Sequence, residues 1–239
     1  MVALAEILQQ HPVWRGGRLA QAIAALPTGF TGLDAELPGA GWPRQALTEL
    51  LVDQTGIGEL ELILPALATL TSAGHRTVWV APPHVPYAPA LAAAGVDLVN
   101  LLVVRAPERR DALWAAEQAL RSGSCHALVA WVPRPRYAEL QRLAVAAEAS
   151  HAAAFLFRPL AAADESSPAA LRVALDAAAS PTHMSELHVR IVKRRGSPLA
   201  RPVRLALKRP FHVVGRAAPP RVAGSDARTD RRLGLPVHA

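Results

Sequence analysis

The stretch ALTELLVDQTGIGELELILPALATL, residues 46–70, decides how the chain is read. Its pattern predicts a strand over Leu47 to Val52, a polar loop with two glycines over Asp53 to Gly58, and a helix over Glu59 to Leu70. Strand, glycine loop and helix together cradle phosphate when the loop follows G-x-x-x-x-G-K-[ST]. On that pattern Val52 stands at the first glycine, Ile57 at the second, Gly58 at the lysine and Glu59 at the hydroxyl, and Gly56 is the other glycine of the loop. The lysine would offset phosphate charge and the hydroxyl would hold Mg²⁺; glycine and glutamate do neither in that way. Glu59 brings a carboxylate to a helix N-terminus, a position that favours anions, so it can occupy the charge site a phosphate would use. Two readings stay open on these residues: a vestigial phosphate loop, or a plain strand-to-helix turn.

Working outward, the 239 residues suffice for one α/β domain with a tail, and 51% hydrophobic residues supply its core. Arg, Asp, Glu or Pro interrupts every apolar run before it reaches the ~20 residues of a membrane span, so no membrane association is expected. Glu6 and the lack of a basic residue before the apolar positions argue against a secretory leader. One cysteine, Cys125, allows no internal disulfide; the cytoplasm is the expected compartment and a buried structural thiol the expected role. The net charge of +7 is divided unevenly, with −3 over residues 1–185 and +10 over residues 186–239. A basic final quarter points to nucleic acid or an acidic protein.

Residues 1–12 predict a short amphipathic helix (Leu4, Ile7 and Leu8 on one face) ended by Pro12, and Trp14 to Arg18 a basic linker. Thr31 to Asp34 open a short helix, and Pro38 to Pro43 form a tight turn into the strand at Leu47. Beyond residue 70, strands are expected at Thr77 to Val80, Leu98 to Val104, Ala127 to Val132 and Ala153 to Phe157. Helices are expected at Ala88 to Ala94, Glu108 to Arg121, Tyr137 to Ser150 and Pro168 to Ala178. That alternation implies βαβ units and a parallel sheet with helices on both sides. A C-terminal β-hairpin follows, Glu186 to Lys193 with Val203 to Leu207, and a basic tail from Pro210 that composition reads as disordered.

The order of segments resembles the core of the RecA recombinase family. The residues that carry the resemblance are TGFTGLD (28–34), PGAGWPRQALTEL (38–50), LAAAGVDLVNLL (91–102), LRSG (120–123), ALVAW (127–131) and VRIVKRRGSP (189–198). It spans residues 26–210 and implies a RecA-like domain there, preceded by an N-terminal helix and linker over 1–25 and followed by the tail over 211–239. Within the superfamily the chain is similar to the ImuA-type accessory proteins of translesion synthesis and to SulA, the cell-division inhibitor. The resemblance places Pro83 where a RecA-type enzyme has its water-activating glutamate, and Trp131 where the Walker B aspartate lies. With Gly58 and Glu59 already in place of the lysine and hydroxyl, the implied domain is a non-hydrolysing ATPase relative with no cofactor and no metal.

The ImuA-type resemblance implies an adaptor in the SOS response whose partners are a Y-family-like polymerase subunit, RecA and, weakly, DNA. The alternative is a SulA-like inhibitor that binds the division GTPase. The expected contact residues are Lys193, Arg194, Arg195, Arg201, Lys208 and Arg209; the same cations would also serve to blunt a sheet edge against aggregation. His84, His126, His151, His183 and His188 show no metal-ligand spacing, no G-x-S-x-G elbow is present, and Gly56-x-Gly58 lacks the rest of a dinucleotide motif.

Overall fold

The computed structural model describes residues 25–178, 185–194 and 202–207. The expected N-terminal helix (1–12), the linker at 14–18 and the tail from Pro210 lie outside the described residues. In chain order the elements are β1 (Ala25–Leu26), α1 (Thr31–Asp34), β2 (Trp42–Pro43), β3 (Ala46–Val52), α2 (Leu64–Ser72), β4 (Thr77–Val80) and α3 (Ala88–Ala93). They continue with β5 (Leu101–Val104), α4 (Arg109–Arg121), β6 (Ala127–Trp131), α5 (Tyr137–Glu148), β7 (Ala153–Pro159), β8 (Leu171–Ala178), β9 (Ser185–Lys193) and β10 (Val203–Leu207).

One eight-stranded sheet carries the fold in the order β10-β9-β8-β3-β7-β6-β4-β5. Strands β8, β3, β7, β6, β4 and β5 run parallel, and β9 and β10 are antiparallel additions at one end. This is the α/β sheet and terminal hairpin expected from the alternation. Its two faces follow the period-2 rule. Leu50, Phe155, Phe157, Val173 and Val189 point to a core closed by α2 residues such as Leu67 and Leu70. Leu47, Leu128, Ala154 and Leu156 point to a second core covered by α4 and α5, through Leu113, Leu120, Leu140 and Leu143.

Three expectations require correction. The helix after the glycine loop begins at Leu64, not Glu59, and residues 53–63 form turns and bends. Pro65 lies in the first turn, where its missing N–H costs nothing; a helix running through from Glu59 would need that N–H as a donor. Residues Leu98–Asn100 form a 3₁₀ turn capped by the Asp97 carboxylate, so the strand there starts at Leu101. The expected helix over Pro168 to Ala178 is strand β8, seated between β3 and β9. Alanine and leucine favour helix, but Leu171, Val173 and Leu175 recur every second residue and are all buried on one face. Two ladders of hydrogen bonds outweigh a weak propensity.

The centre of the sheet holds an ion cluster. Glu49 of β3 is fully buried and receives Arg172 Nε at 2.7 Å, Arg158 Nη1 at 3.1 Å and the Ser167 hydroxyl at 2.7 Å. Arg172 stands opposite Glu49 in register, while Arg158 comes from β7 on the other side. Every guanidinium nitrogen of Arg172 donates: besides Nε, the two Nη groups reach the carbonyls of Ala162, Ala163 and Glu165 in the 3₁₀ turn that follows β7. Arg158 also pairs with the exposed Glu165 at 2.6 Å. Replacing one member of a buried ion cluster strands the others without water or partner. Glu49→Gln is therefore expected to lower unfolding stability by about 3–5 kcal/mol, read as a fall in the urea midpoint at unchanged slope.

Candidate functional site

Ligand sites in open parallel sheets form at the carboxyl ends of the strands. Along that rim the loop after β3, the loop after β4 and the end of β6 carry the positions singled out from sequence.

The loop after β3 closes on itself. The Glu59 carboxylate accepts from the Gly56 N–H, at 2.9 Å to Oε1 and 3.0 Å to Oε2, and from the Gly58 N–H at 3.2 Å. Gly56 and Gly58 have φ of +84° and +101°, and this left-handed backbone turns both amides toward the carboxylate, as a nest of N–H groups does for an anion. Glu59 is buried, so the negative charge in the cradle belongs to the chain itself. Ile57, also buried, anchors the loop in the core, and Val52 ends the preceding strand half-buried. Leu207 of β10 packs on Gly58 so closely that a Cβ there would lie 2.3 Å from its Cδ1.

At the next loops the rim is mostly apolar, with His84, Arg105 and Arg109 among its lining residues. Trp131, at the end of β6, stacks on Phe157 of β7 with centroids 5.1 Å apart and planes at 12°, and touches Trp79 at 5.6 Å. Pro83 and Trp131 line one cavity of about 1040 Å³ together with Val85, Leu101 and Val103. Nucleotide and Mg²⁺, which a RecA-like fold implies, do not fit these residues: the amide cradle already holds a carboxylate, glycine stands at the lysine position, and an aromatic stack stands at the metal-side carboxylate. Phe157 was not legible as part of this rim, because only the β6–β7 register brings it opposite Trp131.

The basic hairpin lies at the far end of the sheet. Lys193 Nζ donates to the Ser167 carbonyl at 2.8 Å, and Arg194 donates to the Glu36 carbonyl and pairs with its carboxylate at 3.5 Å. Both cations thus tie the hairpin to other parts of the fold. Arg195, Arg201, Lys208 and Arg209 lie outside the described residues. The expectation for Cys125 is met: it is buried, its thiol donates to the Ala127 carbonyl at 3.0 Å, and burial pushes its pKa up to about 12. Such a thiol is a poor nucleophile. Among the described residues no cluster of His, Cys, Asp and Glu could hold a metal, and no helix is long and apolar enough to cross a membrane.

Replacing Glu59 tests the cradle. Glu59→Ala leaves the buried Gly58 amide and the more exposed Gly56 amide without their acceptor and is expected to cost about 1–3 kcal/mol, measured by urea unfolding. Native Cys125 should resist a thiol reagent until the protein is unfolded, as counted by mass spectrometry.

Comparison with known proteins agrees with the superfamily suggested by the segment order. Residues 46–154 match the family model described as cell division inhibitor SulA. The cell division inhibitor SulA of Edwardsiella piscicida is 34% identical over 98 residues, covering 41% of this chain and 58% of that protein. Protein RecA of Streptomyces ambofaciens is 33% identical over 144 residues, covering 55% of this chain and 38% of that one. The crystal structure of SulA from Pseudomonas aeruginosa is 26% identical, with 47% of this chain and 97% of that one covered and a TM-score of 0.41. The chain thus spans a little over half of the SulA relative and about a third of the RecA relative it matches. What the matched residues share is a RecA/SulA-like likeness.

Proposed function

We propose that this chain is a non-hydrolysing RecA/SulA-like binding module that acts by engaging a protein partner, as a cell-division inhibitor of the SulA kind. The observation that carries the first half is the Glu59 carboxylate seated on the Gly56 and Gly58 amides, where a phosphate would have to lie. A domain whose phosphate cradle is filled by its own side chain has given up the interaction on which nucleotide chemistry depends. The second half is supported by the SulA family match over residues 46–154, which covers β3, β4, β5 and β6 with the helices between them and ends at the start of β7. The proposed partner is the division GTPase, and the rim around Pro83 and Trp131, mostly apolar with Arg105 and Arg109 beside it, supplies a surface of the kind that proteins bury on binding.

A second reading rests on the parts outside that match. The segment Ala25–Pro43 and strands β8, β9 and β10 extend the domain beyond residues 46–154. They suit an ImuA-like adaptor of translesion synthesis, with a Y-family-like polymerase subunit and RecA as partners and weak DNA contact through the basic end of the chain.

Co-purification of the full chain against the division GTPase, the polymerase-like subunit and RecA separates the readings. Retention of the GTPase, with loss of its assembly in a sedimentation assay, is the expected outcome; retention of the polymerase-like subunit alone would replace the inhibitor with the adaptor. Saturable Mg²⁺-dependent ATP binding by the purified protein would overturn the non-hydrolysing module itself.

A further inference from the structure

At the opposite rim, the amino ends of the parallel strands, three histidines converge. His75 precedes β4, His126 precedes β6 and His151 precedes β7, and these strands are neighbours in the sheet, so residues dispersed over 77 positions of sequence meet in one recess. Arg44 and Gln45, just before β3, complete its wall; the recess measures about 350 Å³. His75 and His126 stack with centroids 4.1 Å apart and planes at 22°. Gln45 Nε2 lies 3.3 Å from His151 Nδ1, and Arg44 Nη2 donates to the His151 carbonyl at 3.3 Å. Among the described residues no carboxylate lines the recess, so Arg44 and any protonated histidine there go without a counter-charge.

Metal binding does not explain the group. Stacked rings set their nitrogens side by side rather than converging on one point, and no metal-holding set is formed among the described residues. An oxyanion fits better: it accepts from several N–H donors at once and neutralises clustered positive charge.

We propose that the recess formed by Arg44, His75, His126 and His151 is a phosphate-binding site, taking a phosphoryl oxyanion either as the free ion or from a phosphodiester strand. Burial, and after it the positive charge of His75 with further contributions from Arg44 and His151, holds the His126 imidazole below its usual pKa. Its folded value is below the unfolded one, so the unfolded chain binds more protons and stability is lost as pH falls through about 6.5. An anion in the recess favours the charged imidazoles and offsets that loss; a phosphodiester, whose charge is constant in this range, binds more tightly as acidity rises, whereas inorganic phosphate gives up one of its own charges over the same range.

The test is thermal unfolding of the full chain with inorganic phosphate, or with a short single-stranded oligonucleotide, against sodium chloride at matched ionic strength. At pH about 5.5 inorganic phosphate or the oligonucleotide at about ten times its Kd is expected to raise Tm by about 3 °C, and the oligonucleotide's shift is expected to be smaller at pH about 7.5. A response to inorganic phosphate identifies the free ion as the source, and a response to the oligonucleotide alone identifies a strand; both support the site. Equal shifts with chloride, no shift with either ligand, or the same shift in Arg44→Gln and His126→Asn would overturn it. Should His126→Asn fail to fold, proton NMR of the wild-type imidazoles decides. Phosphate must raise the titration midpoints of His75, His126 and His151 together, and unchanged midpoints rule the site out.

Discussion

A carboxylate in the middle of a parallel sheet needs cations within reach, and Glu49 obtains two of them, one from each neighbouring strand. The arrangement binds β7, β3 and β8 into a single register. A slip of one residue would turn Arg172 away to the opposite face and leave Glu49 buried beside a hydrocarbon side chain. Arg172 extends the constraint to the 3₁₀ turn after β7, whose carbonyls it holds. Buried ion clusters contribute less to net stability than well-packed apolar groups, and their effect is on which alternative arrangements are allowed. Here they specify β8, the strand that local propensity would have made a helix, and through β8 the attachment of the antiparallel hairpin.

Once the strand order is set, the two rims of the sheet acquire opposite character. At the carboxyl rim the amides of Gly56 and Gly58 are satisfied by Glu59, and the neighbouring positions are proline, tryptophan and phenylalanine. The Glu59 charge there is held by the chain's own amides, and the neighbouring cavity is mostly apolar with Arg105 and Arg109 at its wall, a mixture of the kind protein interfaces bury. At the amino rim, histidines and an arginine share a recess that, among the described residues, no carboxylate lines. A parallel sheet makes both possible because it gathers residues that start or end successive strands, whatever their separation along the chain.

The excess positive charge of the final quarter is partly spent within the fold. Lys193 and Arg194 fasten the hairpin to Ser167 and Glu36, bringing the sheet end against α1. Charge counted along the chain says how many cations there are and not how many face solvent. Earlier in the chain the buried guanidiniums of Arg158 and Arg172 likewise count toward the net charge while paired with Glu49 inside the fold.

Much of this protein is determined by local pattern alone. The helices Arg109–Arg121 and Tyr137–Glu148 and the hairpin were legible because apolar periodicity reports which face is buried, and the strand Ala127–Trp131 because an unbroken apolar run fits a strand buried on both faces. That Gly58 and Glu59 stand where the phosphate-loop pattern has its lysine and hydroxyl was likewise visible, but the carboxylate was expected at a helix N-terminus, whereas the helix begins at Leu64 and the Gly56 and Gly58 amides hold it. Three things were decided only by tertiary structure. Strand β8 formed against its composition because β3 and β9 offered it two ladders and Glu49 offered Arg172 a charge. The pairing of Trp131 with Phe157 depended on register, and the meeting of His75 with His126 and His151 depended on strand order. Periodicity encodes burial within one element; which elements become neighbours is set by the packing of all of them at once.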